Sequence, residues 1–188
     1  MKRFTHGIVI VFALMLLAPS SPAFAADDDT FSQEEVLNKA RGFFGETTKG
    51  LAKAVEKVFQ DKGRPNAIIT GEEASGALGV GARYGKGELT KKGGTPTKIF
   101  WQGPSVGFDI GGNASRAFVL VYNLKSTDQM FQRFPGVDGS FYVIAGVGVN
   151  YLQSGDIILA PMRTGVGLRA GASIGYLHFT KEHSWIPF

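Results

Sequence analysis

Glycine at alternate positions inside apolar stretches is the feature that most restricts what this chain can become. Gly79-Val80-Gly81-Ala82-Arg83-Tyr84-Gly85 and Gly165-Val166-Gly167-Leu168-Arg169-Ala170-Gly171 share the pattern G-V-G-x-R-x-G. Gly146-Val147-Gly148-Val149-Asn150 is a weaker third copy, and Gly107-Phe108-Asp109-Ile110-Gly111 keeps the same rhythm. A period of two is the side-chain period of a β-strand. Each such strand therefore has one bulky face and one face bare but for a single polar group. A bare face permits tight curvature or close approach of a second backbone. The 26 glycines among 188 residues are about twice the usual share and lack a three-residue repeat, which excludes collagen.

The period-two region begins at Ala67. Strands are expected near 66–70, 76–90, 97–101, 105–111, 116–123, 140–152, 156–160 and 165–179. Turns are expected at Gly93-Gly94-Thr95-Pro96, Gly111-Gly112-Asn113, Phe134-Pro135-Gly136-Val137-Asp138-Gly139 and Gln153-Ser154-Gly155-Asp156. Lys125 to Arg133 is expected to form a short helix between strands. Many short strands joined by glycine-rich turns predict a mainly β fold, a small antiparallel β-barrel or strongly curved sheet over residues 66–188.

Residues 26–65 read differently. After the acidic stub Ala26 to Thr30, Ser32 and Glu35 form a capping box that starts a helix. Val36, Ala40, Phe43, Phe44, Thr47, Leu51, Val55 and Val58 then recur at three- and four-residue spacing along one stripe. Gly42, Gly45 and Gly50 each weaken a helix by about 1 kcal/mol relative to alanine, so a break is expected near 45–50. The apolar stripe is expected to pack on the sheet.

Residues 1–25 have the form of a secretory signal peptide. Lys2 and Arg3 precede the apolar run Gly7 to Ala18, and Ala23-Phe24-Ala25 is an A-x-A cleavage site. The run is short for a membrane span. Loss of Lys2 and Arg3 with it takes two positive charges off a formal net charge of +4. A balance that small does not call for a nucleic-acid partner. The sequence has no cysteine, which excludes disulfides, thiol catalysis and cysteine-ligated metals, and with them a lipobox lipid anchor. Periplasmic residence is the expected outcome.

The polar residues on the bare strand faces are the candidate site. Arg83, Asp109 and Arg169 are each the one charge on a glycine-lined face. A buried arginine is costly unless paired, so Asp109 is the expected partner of Arg83, Arg169 or both. The preferred reading is a structural ion-pair cluster; the sharper alternative is an anionic-ligand site using the arginines. No catalytic residue, metal site or cofactor is predicted. His178 and His183, five apart, match neither a helical nor a strand metal pair, and no G-x-S-x-G or P-loop pattern occurs.

Longer stretches resemble a known family. Ala82 to Leu89 (ARYGKGEL), Trp101 to Asp109 (WQGPSVGFD), Leu120 to Leu124 (LVYNL), Gln132 to Ser140 (QRFPGVDGS), Gly165 to Arg169 and the ending Trp185-Ile186-Pro187-Phe188 are similar to the periplasmic envelope integrity protein A family. That resemblance implies an exported small β-barrel linked to envelope integrity, without catalytic activity. A weaker likeness to SYLF lipid-binding domains rests on G-x-R-Y-G-x-G at Gly81 to Gly87 and on the Trp101 to Gly111 stretch. The implied partner is an envelope component: a lipid, a glycan or a protein. An integral outer-membrane barrel and an envelope hydrolase are the alternatives; Phe188 and the alternating strands favour the former, and Pro187 and strands shorter than 9–11 residues count against it.

N-terminal sequencing of the exported protein is expected to begin at Ala26. Recovery of Met1 from a periplasmic extract would refute the signal-peptide reading.

Overall fold

The computed structural model describes residues 29–45, 49–164 and 175–184, with the side chains of 49, 76–80 and 105–114 excepted. The expected strand over 165–179 therefore falls mostly outside the described residues.

Two helices lead the fold. Helix α1 spans Gln33–Phe44 and begins with the expected capping box, in which Ser32 accepts from the Glu35 amide and Glu35 accepts from the Ser32 amide. Helix α2 spans Lys49–Lys62, so the expected break falls where three glycines weaken the segment. Val36, Ala40, Leu51, Val55 and Val58 are buried, while Phe43 and Phe44 are half-buried. The stripe packs on the sheet. The Phe43 and Phe44 rings lie about 6 Å from the fully buried Phe118. At the other end, the Tyr151 hydroxyl donates to Asp61 at 2.8 Å and fastens the last turn of α2.

Among the described residues the eight strands are β1 (Ala67–Lys91), β2 (Thr97–Tyr122), β3 (Arg133–Pro135), β4 (Tyr142–Ile144), β5 (Val147–Val149), β6 (Leu152–Ser154), β7 (Ile157–Thr164) and β8 (Tyr176–Thr180). They form one antiparallel sheet in the order β3-β8-β2-β7-β5-β4, with β1 on β2 and β6 on β7. One edge of β2 carries β1 along its length. The other carries β8 at Phe100 to Gln102 and β7 at Ala117 to Tyr122. A bridge between Gly136 and Leu152 joins the end of β3 to β6, so the sheet curls round on itself as a half-barrel.

Two expectations are corrected. The five strands expected between 66 and 123 are two long ones, and Gly111-Gly112-Asn113 is no turn: it lies within β2, where the register with β1 shifts between Ser75 and Ala77. Glycine bends a strand without ending it, because the backbone keeps its ladder partners. The short helix expected between Lys125 and Arg133 is the 3₁₀ helix Thr127–Met130, between β2 and β3.

Strand alternation divides the apolar residues into two cores. Ile68, Phe118, Leu120, Tyr122, Ala160 and Met162 face the helices. Ala67, Ile69, Val119, Val121, Leu159 and Phe179 fill the concave side. Residues 117–122 are apolar throughout because both faces are covered.

The glycine rhythm has a specific use at Gly71 and Gly87, where the two halves of β1 meet backbone to backbone. A Cβ on Gly87 would stand 2.3 Å from the Thr70 carbonyl oxygen and 2.8 Å from the Gly71 Cα. No side-chain rearrangement relieves that clash. Gly87→Ala is expected to destabilise the protein by about 1–3 kcal/mol or more, as overpacking does. Gly42 in α1 has nothing within 4 Å of its missing Cβ, so Gly42→Ala is expected to stabilise by about 0.5–1 kcal/mol. Urea denaturation of both variants checks the pair; equal and small effects would mean that the crossing is not close.

Candidate functional site: a buried carboxylate between two arginines

On the inner face of β1, Ala67, Ile69 and Gly71 are followed in the same phase by Glu73. On β7, Ile157, Leu159 and Pro161 are followed by Arg163. Both charged residues thus occupy inward positions. Glu73 is 4% exposed and Arg83 is 8% exposed.

Arg163 grips the carboxylate with a two-point fork: Nε donates to Oε1 at 3.1 Å and Nη2 to Oε2 at 3.2 Å. The indole Nε1 of Trp101 donates to Oε2 at 2.9 Å. Arg83 Nη1 stands 3.7 Å from Oε1, an ion pair rather than a hydrogen bond. Arg163 Nη1 also donates to the Asn150 amide oxygen at 3.2 Å. Trp101 reaches Glu73 because its ring lies over Gly85, where a Cβ would come within 1.9 Å of the indole.

Burial alone would raise the Glu73 carboxyl. The charges of Arg163 and Arg83, with the Arg163 and Trp101 hydrogen bonds, outweigh it and hold the group down from an ordinary 4.5 to about 2. Burial also lowers the Arg83 guanidinium, against the opposing pull of Glu73. The space beside the cluster, between Arg83, Asn150, Arg163 and Tyr176, is a cavity of about 10 Å³. That is room for about one water molecule. A phosphate or carboxylate headgroup does not fit.

Of the three residues that the sequence singles out, Arg83 is in this cluster. The side chain of Asp109 and the whole of Arg169 lie outside the described residues. In register Asp109 stands opposite Ala77, and Arg83 opposite Gly103. The described carboxylate beside Arg83 is Glu73, which sequence reasoning passed over together with Arg163. The available signal was phase: each continues an inward-facing apolar series by one more step of two.

Glu73→Gln keeps the shape but removes the charge that Arg163 forks and Arg83 pairs with, at an expected cost of about 3–5 kcal/mol at neutral pH. The carboxyl's folded value lies below its unfolded one, so its stabilisation is complete above about 4.5 and is lost as pH falls toward 2. The gap in melting temperature between wild type and Glu73→Gln is therefore expected to close across that window. A gap independent of pH would refute the charge argument.

The family model of envelope integrity protein A matches residues 29–188. Among solved structures, the chain is similar to the crystal structure of a β-barrel-like, uncharacterised protein from Brucella abortus. The identity is 50%, over 85% of this chain and 99% of that one, with a TM-score of 0.78. No curated protein matches the chain.

Proposed function

The chain belongs to the envelope integrity protein A family, and on that premise we propose that it is a soluble, non-enzymatic periplasmic protein. In this reading it supports the cell envelope by binding one of its components, a lipid, a glycan or a protein. The observation that carries the proposal is the closure of the interior. The inward polar groups of the described cluster bind one another around a space the size of one water molecule. In this proposal the cluster of Glu73, Arg83 and Arg163 holds the fold together and binding belongs to the outer surface.

One feature weighs against an integral outer-membrane barrel. Such a barrel turns its outward side chains to lipid, whereas here Phe118, Leu120 and Met162 turn theirs to α1 and α2. The same packing opposes a detached, SYLF-like lipid arm, because the apolar stripe of the helices is spent on the sheet.

Osmotic shock without detergent is expected to release the protein, and purified protein is expected to co-sediment with washed envelope fragments. Cells lacking it are expected to become sensitive to detergent, with rescue by the wild-type chain. Extraction only by detergent would refute the soluble reading, and absence of co-sedimentation would refute the binding one.

A further inference from the structure

A wide opening on the described surface lies at one end of the sheet, outside the buried cluster. It is a cleft of about 750 Å³ between the chain entering the fold at Asp29, the end of β1, the loop after β2 and the turn between β6 and β7. Its volume falls within the roughly 300–1,000 Å³ of small-molecule sites. The cavity beside Arg83 is smaller by nearly two orders of magnitude.

The groups on its walls sort into two chemistries. Lys91, Lys92 and Lys125 supply ammonium donors. Lys91 is held in place by donating to the Lys125 carbonyl at 2.7 Å, which uses one of its three hydrogens. Lys92 is held by Glu35. The second set is acceptors. Asn123 spends its amide nitrogen on the Asp156 carbonyl at 2.8 Å, and Gln153 spends its own on the Gly155 carbonyl at 2.9 Å. Their amide oxygens and the exposed Asp156 carboxylate are left as hydrogen-bond acceptors.

A bare anion is served by the lysines and repelled by Asp29 and Asp156. An acyl chain meets apolar side chains only at Ile158 and the wholly buried Leu124; the rest of the lining is lysine stems, amides and carboxylates. A molecule that carries both hydroxyl donors and a carboxylate satisfies both sets. We propose that this cleft binds an acidic saccharide, with Lys91 and Lys125 meeting its carboxylate and Asn123, Gln153 and Asp156 accepting from its hydroxyls. The proposal rests on the envelope-binding reading and narrows it to a glycan.

The test is a titration of the ¹⁵N-labelled chain with trigalacturonate, followed by amide chemical shifts. Maltotriose, which has the hydroxyls without the charge, and inorganic phosphate, which has the charge without the hydroxyls, are the controls. Trigalacturonate is expected to shift Lys92, Asn123, Lys125 and Asp156 with a Kd of about 1 mM or tighter, and each control to bind about tenfold more weakly or less. The double variant Lys91→Gln, Lys125→Gln is expected to keep its melting temperature and lose about tenfold in affinity. Shifts confined to another face, phosphate binding as tight as trigalacturonate, or an unaffected double variant would each overturn the proposal. If the wild type still co-sediments with envelope fragments in that event, the wider reading stands and the cleft alone is refuted; if it does not, both fall.

Discussion

The two halves of β1 cross at Gly71 and Gly87, and most of the molecule is arranged around that contact. The crossing requires two backbones at a separation that no Cβ permits, so it restricts the strand to glycine at both positions. Because β1 is paired along its length with β2, bending one bends the other. The bend gives the sheet its concave side. The β1–β2 register sets Gly85 opposite Trp101, so that the indole lies over bare backbone and extends its N–H to Glu73. The glycine face is therefore a receptacle for other parts of the chain, and its absent side chains are what make the interior fit.

Burying Glu73 with Arg83 and Arg163 is an expensive way to fill a core. Two guanidiniums and a carboxylate each lose several kcal/mol of hydration, and well-packed apolar residues of the same volume often do as well. What an ion cluster adds is orientation. The Arg163 fork fixes β7 against β1, strands that share no ladder, and the Asn150 contact extends the tie to the segment between β5 and β6. In a sheet built from slippery alternations of glycine and valine, a one-residue slip would turn every side chain to the wrong face. A charge pair that works in a single register penalises such a slip heavily.

Much of this was legible in the sequence. The capping box at Ser32, the helical stripe and its interruption, and the change to period two at Ala67 each have a local cause, and each appears where the residues put it. What was not legible depends on distance along the chain. Gly111-Gly112-Asn113 reads as a turn from its own composition, yet it sits inside β2 because β1 pairs with the backbone on either side of it. Glu73 and Arg163 lie 90 residues apart. Their common phase places both inside, but only the curl of the sheet brings them together. Arg83 stood out because its neighbours are glycines; Glu73 was hidden by the charged Glu72 beside it, which turns outward.

The division between inside and outside bears on where this family can do chemistry. Between residues 117 and 122, both faces of β2 are committed to packing, toward the helices on one side and into the half-barrel on the other. A side chain in such a strand cannot be exchanged for a recognition group without a loss of core. The turns at the sheet's end carry no such burden. Asn123 adopts a positive φ of 62° and Gly155 one of 56°, conformations set by local turn chemistry rather than by the core. The residues beside them can vary while the sheet stays the same. Recognition placed on turns and stability placed in a closed interior are thereby separable, which is the usual reason that loops on a rigid sheet carry specificity. In this chain the separation is wide: the polar groups with acceptors to spare line the end cleft, and those of the buried cluster are turned toward one another.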